Sequence, residues 1–410
     1  MTDFHQNGNI AQFHNLRTRP LEELEYELET YAQTRKISLI LPALFSELEG
    51  PALRHIITEL GKVRYLHRVV IGLDRADEDQ FRRARDFFSV LPHTHAVIWN
   101  DGPRLSNIDA RLEAVGLGPH ELGKGKNVWT AIGYLIGCAD SAVVALHDCD
   151  ITTYDRGMLA RLLYPVAHPG FSYKLSKGFY ARVGDGKMNG RVARLLVSPL
   201  LIALKKTMGD SDYIDFLRAF RYPLSGEMAM RAALLPDLRI PSDWGLEIGV
   251  LSEAWRNLGR NETCQVEIAD AYDHKHQVVS QEDASTGLNR MSMDICKAVF
   301  RKMAAEGTVF SMNVFRALKA TYYRRALDLL EVYDNDATMN GVRIDRHVEE
   351  QTIELFAENI MRAGQSFMDN PHETPFIPNW NRVHAADPQI IGDLRAAVAA
   401  DAEDYPAVPF

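Results

Sequence analysis

Ser141-Ala-Val-Val-Ala-Leu-His-Asp-Cys-Asp150 decides the fold. Its apolar middle has the length and β-branched content of a strand covered on both faces, as strands of a parallel sheet are. It runs out into two carboxylates. Three earlier stretches repeat the pattern: Lys36-Ile-Ser-Leu-Ile-Leu-Pro-Ala43, Arg68-Val-Val-Ile-Gly-Leu-Asp74 and His95-Ala-Val-Ile-Trp99, with amphipathic helical segments between them. Four such runs alternating with helices predict an α/β architecture, a Rossmann-like, mostly parallel sheet with helices on both faces. Ligands of such sheets collect at the carboxyl ends of the strands. Asp74 and Asp148 both stand at such ends.

Beyond Asp150 the pattern mixes. Phe171 to Phe179 and Cys264 to Ile268 read as strands, and Gly190 to Lys205 and Gly245 to Leu258 read as helices. From Asp283 onward helices dominate, with clear periodicity over Cys296 to Met303, Val314 to Val332 and His347 to Met361. This C-terminal extension reads as a helical cap or oligomerisation element, its last ten residues as helical or disordered. Asp334-Asn-Asp-Ala-Thr-Met339 starts like a calcium loop, but Met339 takes the place that demands glycine, so it reads as a turn between helices.

The 410 residues are 46% apolar and 25% charged, enough for a large core, and the formal net charge of −9 excludes a strongly basic nucleic-acid-binding surface. The acidity is local: residues 331–410 carry 15 acidic and 5 basic side chains. The four cysteines, Cys138, Cys149, Cys264 and Cys296, lack C-x-x-C spacing and read as reduced thiols of a cytoplasmic protein. No signal-peptide core is expected in Met1 to Arg19, and no membrane span, because Asp140 interrupts the best apolar stretch.

Several motifs carry chemistry. Asp148 and Asp150, one residue apart after a buried strand, can hold a hard divalent cation or accept from sugar hydroxyls. Gly123-Lys-Gly-Lys-Asn127 opens a helix whose free N–H groups, with Lys124, suit a diphosphate. Gly118 to Lys124 matches the start of a P-loop, but Gly125 replaces the metal-binding Ser/Thr and a helix, Leu105 to Val115, precedes it. In Tyr272-Asp-His-Lys-His-Gln277 the alternate histidines share one side of an extended chain, suiting a metal ligand beside an anion contact. Asp243 caps the helix that carries Glu247 in its first turn, where a carboxylate can grip a hydroxyl-rich ligand. Arg191, at a helix start, is placed for a phosphate or carboxylate.

In order, the chain offers Leu41-Pro-Ala-Leu44, Asp74, Gly123-Lys-Gly125 with Trp129, Asp148-x-Asp150, Lys177-Gly-Phe-Tyr180, Gly190-Arg-Val192, Pro223-Leu-Ser-Gly-Glu227, Gly245-Leu-Glu-Ile-Gly249 and His274. Over roughly residues 35–280 this series resembles the retaining glucosyl-3-phosphoglycerate synthases, glycosyltransferases of the GT-A fold. The resemblance implies a UDP- or GDP-hexose donor, a divalent metal (Mg²⁺ or Mn²⁺), 3-phosphoglycerate as acceptor and a homodimer. It implies that Pro42, Ala43 and Leu44 line the base and Asp74 the nucleoside. Phe45-Ser-Glu47 replaces the family's Asn-Glu-Glu, so Ser46 or Glu47 takes over base reading. Lys124 contacts the diphosphate, Asp148 accepts from ribose or sugar hydroxyls, and Asp150 and His274 hold the metal. Leu224, Trp244 and Glu247 surround the hexose, while Gly190 and Arg191, with Lys275 or His276, receive the acceptor. The implied division is an N-terminal helical segment (1–34), a nucleotide-sugar-binding half (35–150), an acceptor-binding half (151–282) and the helical extension (283–410). The alternatives are a mannosyl donor, glycerate or another small acid as acceptor, and, from another class, a non-catalytic nucleotide-sugar sensor.

Overall fold

A computed structural model describes residues 6–118, 123–242, 245–273, 287–370 and 377–410. Its strands are β1 (Ala11–Phe13), β2 (Ile37–Leu44), β3 (Leu66–Asp74), β4 (Thr94–Trp99), β5 (Val143–Leu146), β6 (Leu175–Gly184), β7 (Lys187–Met188), β8 (Met228–Arg231) and β9 (Thr263–Tyr272). They form one mixed sheet in the order β1-β9-β6-β8-β5-β2-β3-β4, with β7 paired to β6. β5, β2, β3 and β4 run parallel; β8 is antiparallel to both β5 and β6, and β6, β9 and β1 are again parallel. The reversal of β8 has a positional consequence. Seven parallel strands end, and β8 begins, on the same rim, so Leu44, Asp74, Asp148, Gly184, Glu227 and Asp273 all arrive there.

The four runs read as buried strands are β2 to β5, and all four residues of β5 are buried. Strand β6 lies further along the chain than the expected Phe171 to Phe179, and β9 extends past Ile268 to Tyr272. The N-terminal segment contributes a strand as well as the helix Leu21–Ala32, since β1 pairs with Cys264–Val266. The helix at Gly190–Lys205 is broken in type: Val192–Val197 is π-helical, followed by the α-helix Ser198–Met208.

One expectation is corrected. Asp334 to Met339 is not a turn but the last part of the helix Met312–Met339. Leu330 and Ala337, seven residues apart, both lie buried on its inner face, so packing carries the helix through the acidic stretch.

The helical extension is not a detached appendage. Its helices Gly287–Ala305, Met312–Met339 and Arg346–Asp369 pack on one another, with Phe300, Phe315, Tyr322 and Phe356 buried, in a core continuous with Leu195, Leu196 and Leu200. Trp380 stacks on Trp129 with ring centroids 4.2 Å apart, and its indole N–H donates to the Trp129 carbonyl over 3.0 Å. The helix Ile390–Asp404 lies along Pro103–Ala114, where Arg104 meets Asp401 and Arg111 meets Asp393, each at 2.6 Å. The acidic charge of the extension is thus partly neutralised by arginines of the preceding chain. Phe410 packs against Phe45 and Phe87 beneath the Arg83 guanidinium, which lays the last residues against the helix Glu78–Phe88. Among the described residues no helix is long and apolar enough to cross a membrane.

Candidate functional site

The site grows from the rim of β5. The strand buries His147 completely, and the next residue, Asp148, turns its carboxylate out beside the helix Lys124–Cys138. Lys124, first residue of that helix, places Nζ 2.6 Å from Asp148 Oδ1 and 3.0 Å from Glu247 Oε1. Glu247 comes from the first turn of the helix Leu246–Asn257, so three elements distant in sequence converge on one ammonium. Burial opposes the charge on Lys124, but the two carboxylates outweigh it and hold the pKa well above the ordinary lysine range. The ammonium is therefore held in its charged form between the two carboxylates.

Asp150 lies two residues past Asp148 on a loop tied to the end of β9. The Thr152 N–H donates to the Asp273 carbonyl over 2.9 Å, and the Asp273 N–H donates to Thr153 Oγ1 over 3.1 Å. The sheet therefore delivers the residue before His274 to the aspartate loop. His274, Lys275, His276 and Trp244 themselves lie outside the described residues. A hard divalent cation takes oxygen donors, which Asp148 and Asp150 can supply. Among the described residues no group of three or more His, Cys, Asp or Glu side chains is gathered around a common point. An ion at the aspartate loop would complete its shell from a bound ligand or from the chain after Asp273.

One end of the rim is built from β2 and β3. Pro42, Ala43 and Leu44 close β2, and the turn Phe45–Leu48 follows at once with Glu47 in it. Asp74 ends β3, where Asn100 Nδ2 donates to its Oδ1 over 2.7 Å. Burial pushes the Asp74 carboxyl above its usual range, against hydrogen bonds from Asn127 and Asn100.

At the other end, Gly190 and Arg191 sit between the β6–β7 hairpin and the π-helical turn, with Arg191 half-buried. Leu224 is buried just before the Ser225-Gly226-Glu227 entry into β8. Asn189 Nδ2 reaches Asp273 Oδ1 at 3.4 Å, which links the Gly190 loop to the aspartate loop through one residue.

Two buried charges quoted in the motif series were given no role there. Lys177, on β6, is 1% exposed and donates from Nζ to the Ser225 carbonyl; burial brings its pKa down to about 8, with Glu247 and Glu227 opposing. Glu227 is fully buried and accepts from Tyr180 at 2.6 Å, Tyr272 at 2.8 Å and Ser225 at 3.0 Å. The sequence held little signal for the first, since Lys177 stands in the same strand-like run as Ser172, Lys174 and Ser176. Together these groups form a buried polar network under the Ser225-Gly226-Glu227 turn whose contacts are satisfied.

Comparison with known proteins follows the same line. The chain is 44% identical over 404 residues to the glucosyl-3-phosphoglycerate synthase of Persephonella marina, covering 98% of this chain and 100% of the relative. It is 37% identical over 390 residues to the protein of the same name from Methanococcoides burtonii, covering 94% and 95%. A crystal structure of the Mycobacterium tuberculosis glucosyl-3-phosphoglycerate synthase, in complex with Mn²⁺, UDP-glucose and phosphoglyceric acid, superposes with a TM-score of 0.53 and 22% identity, covering 74% of this chain and 89% of that one. No family model matches.

Proposed function

The chain belongs to the glucosyl-3-phosphoglycerate synthase family, and from that premise and the geometry of the site we propose that it transfers glucose, with retention, from UDP-glucose to 3-phosphoglycerate. The observation that carries the reading is the Lys124–Asp148–Glu247 triangle at the carboxyl rim of β5. A diphosphate entering there exchanges its own negative charge for those of the two carboxylates around Lys124. Asp148 and Glu247 are then released toward the hydroxyls of ribose and hexose, over Leu224 and beside Trp244. Pro42, Ala43, Leu44 and Glu47 receive the base and Asp74 the nucleoside.

Asp150 with His274 is the proposed metal pair, and the ion's chemistry is to neutralise charge building up on the departing diphosphate. Lys124 adds to this from the protein side. Gly190 and Arg191, with Lys275 or His276, take the carboxylate and phosphate of the acceptor and aim its hydroxyl at the anomeric carbon. The bond from that carbon to the diphosphate oxygen breaks, the bond to the acceptor oxygen forms on the same face, and the hydroxyl proton passes to the leaving diphosphate.

A homodimer is the proposed assembly. A cytoplasmic location fits the four free cysteines, three of them buried.

The test is incubation of the purified chain with UDP-glucose and 3-phosphoglycerate, in Mg²⁺, in Mn²⁺ and in EDTA, with NMR of the anomeric proton. Expected are an α-linked product in metal and none in EDTA, with GDP-glucose, GDP-mannose and free glycerate poorer. Binding of UDP-glucose without turnover in any metal would overturn the proposal.

A further inference from the structure

The acceptor loop is held from behind by the helical extension. Arg194, nearly buried, spends its guanidinium on both sides of a seam. It donates from Nε to the Asn189 carbonyl at 2.8 Å and from Nη2 to the Met188 carbonyl at 3.2 Å. It also forms a two-point pair with Glu349, Nη1 to Oε2 at 2.9 Å and Nη2 to Oε1 at 2.6 Å. Glu349 belongs to the extension's helix Arg346–Asp369 and is 2% exposed. Both of its oxygens are thus engaged by one arginine, and Oε1 also lies 3.9 Å from Arg191 Nε.

The backbone repeats this connection. The Arg343 N–H donates to the Gly186 carbonyl over 2.8 Å, and the Met188 N–H donates to the Arg343 carbonyl over 3.2 Å. The buried Tyr322 hydroxyl, from the helix Met312–Met339, donates to the Leu195 carbonyl over 2.6 Å inside the π-helical turn. The loop so gripped has little stiffness of its own: Gly190 sits at φ +77°, and the turn after it is π-helical, a geometry frequent at functional sites.

We infer that Glu349, through Arg194, is a positioning residue for the acceptor, holding Gly190 and Arg191 in the geometry that receives the anionic three-carbon substrate. This rests on the acceptor reading of Gly190 and Arg191 given above. The fork of Arg194 fixes the carbonyls on the near side of Gly190, and Glu349 keeps the fork oriented and its charge paired in a buried place. Through Glu349 a segment with no expected part in the chemistry becomes part of the substrate site.

The experiment compares Glu349→Gln, Arg194→Lys and Arg191→Ala in the full chain, reading KM for 3-phosphoglycerate, KM for UDP-glucose, UDP affinity by calorimetry and the thermal midpoint. Glu349→Gln keeps shape but loses the charge, and is expected to raise the acceptor KM at least tenfold while donor KM and UDP affinity stay within twofold. Arg194→Lys keeps charge without the fork and is expected to fall between wild type and Glu349→Gln; it also serves if the glutamine variant does not fold. An unchanged or lower acceptor KM in both variants, or donor and acceptor values moving together, overturns the inference. Arg191→Ala separates the layers: if it leaves the acceptor KM unchanged, the acceptor reading itself fails and the inference with it. If it raises that KM while the other two do not, only the role of Glu349 falls.

Discussion

Gly226 leaves no room for a side chain beside Asp148: a Cβ built on it would stand 2.4 Å from Asp148 Oδ2. The entry turn into β8 therefore packs directly on the carboxylate that pairs with Lys124. Gly226→Ala is expected to push that carboxylate aside and lower kcat/KM by about a hundredfold, the scale of a misplacement near 1 Å. The thermal midpoint should change little, because the carboxylate can swing toward solvent. Steady-state kinetics beside a melting curve checks both halves.

Lys124→Met removes the ammonium that bridges Asp148 and Glu247. The leaving diphosphate loses a preorganised cation, and two carboxylates are left facing the incoming anion. The expected loss in kcat is about 10²–10³-fold, with a higher donor KM as well. An unchanged kcat in saturating UDP-glucose would contradict the role given to this lysine.

Much of this was legible in the sequence because it is local. The parallel strands announce themselves as apolar runs, and Lys124, Asp148 and Glu247 each follow a strand end or open a helix, where chemistry gathers in α/β sheets. What stayed hidden depends on contacts between distant residues. Strand β8, Met-Ala-Met-Arg, has no β-branched residue and is a strand only because β5 and β6 flank it. Glu349 reads as one more acid on a charged helix, since its partner Arg194 lies 155 residues away. Asp334 to Met339 misleads for the converse reason: the local motif suggests a loop, while the packing of Ala337 keeps it helical.

His147 supplies a pH prediction. Its ring is fully buried, stands edge-on to Tyr154 at 5.6 Å, and has no hydrogen-bond partner on either nitrogen among the described residues. Burial lowers its pKa from 6.5 to about 4, with Asp148 opposing. Between these values the unfolded chain takes up a proton that the folded chain refuses. The stability contribution is complete above pH 6.5 and is lost as pH falls toward 4. The loss is up to about 3 kcal/mol. In His147→Phe, urea unfolding between those two pH values should show a shallower decline than wild type by that amount.

The stacked indoles of Trp129 and Trp380 join the helix that begins at Lys124 to the extension. Trp380 is 1% exposed, so Trp380→Ala should cost about 3–5 kcal/mol, with Trp129→Ala comparable. Because each ring is the other's main partner, the double variant should lose clearly less than the sum. Additive losses in chemical denaturation would show that the two rings do not support one another.

The same pair makes the molecule its own optical gauge. Indoles in van der Waals contact share their electronic excitation, which gives a paired ellipticity signal in the ultraviolet and altered emission. That signature reports the seating of residues 377–410 on the helix that begins at Lys124, so docking can be followed without a label during turnover.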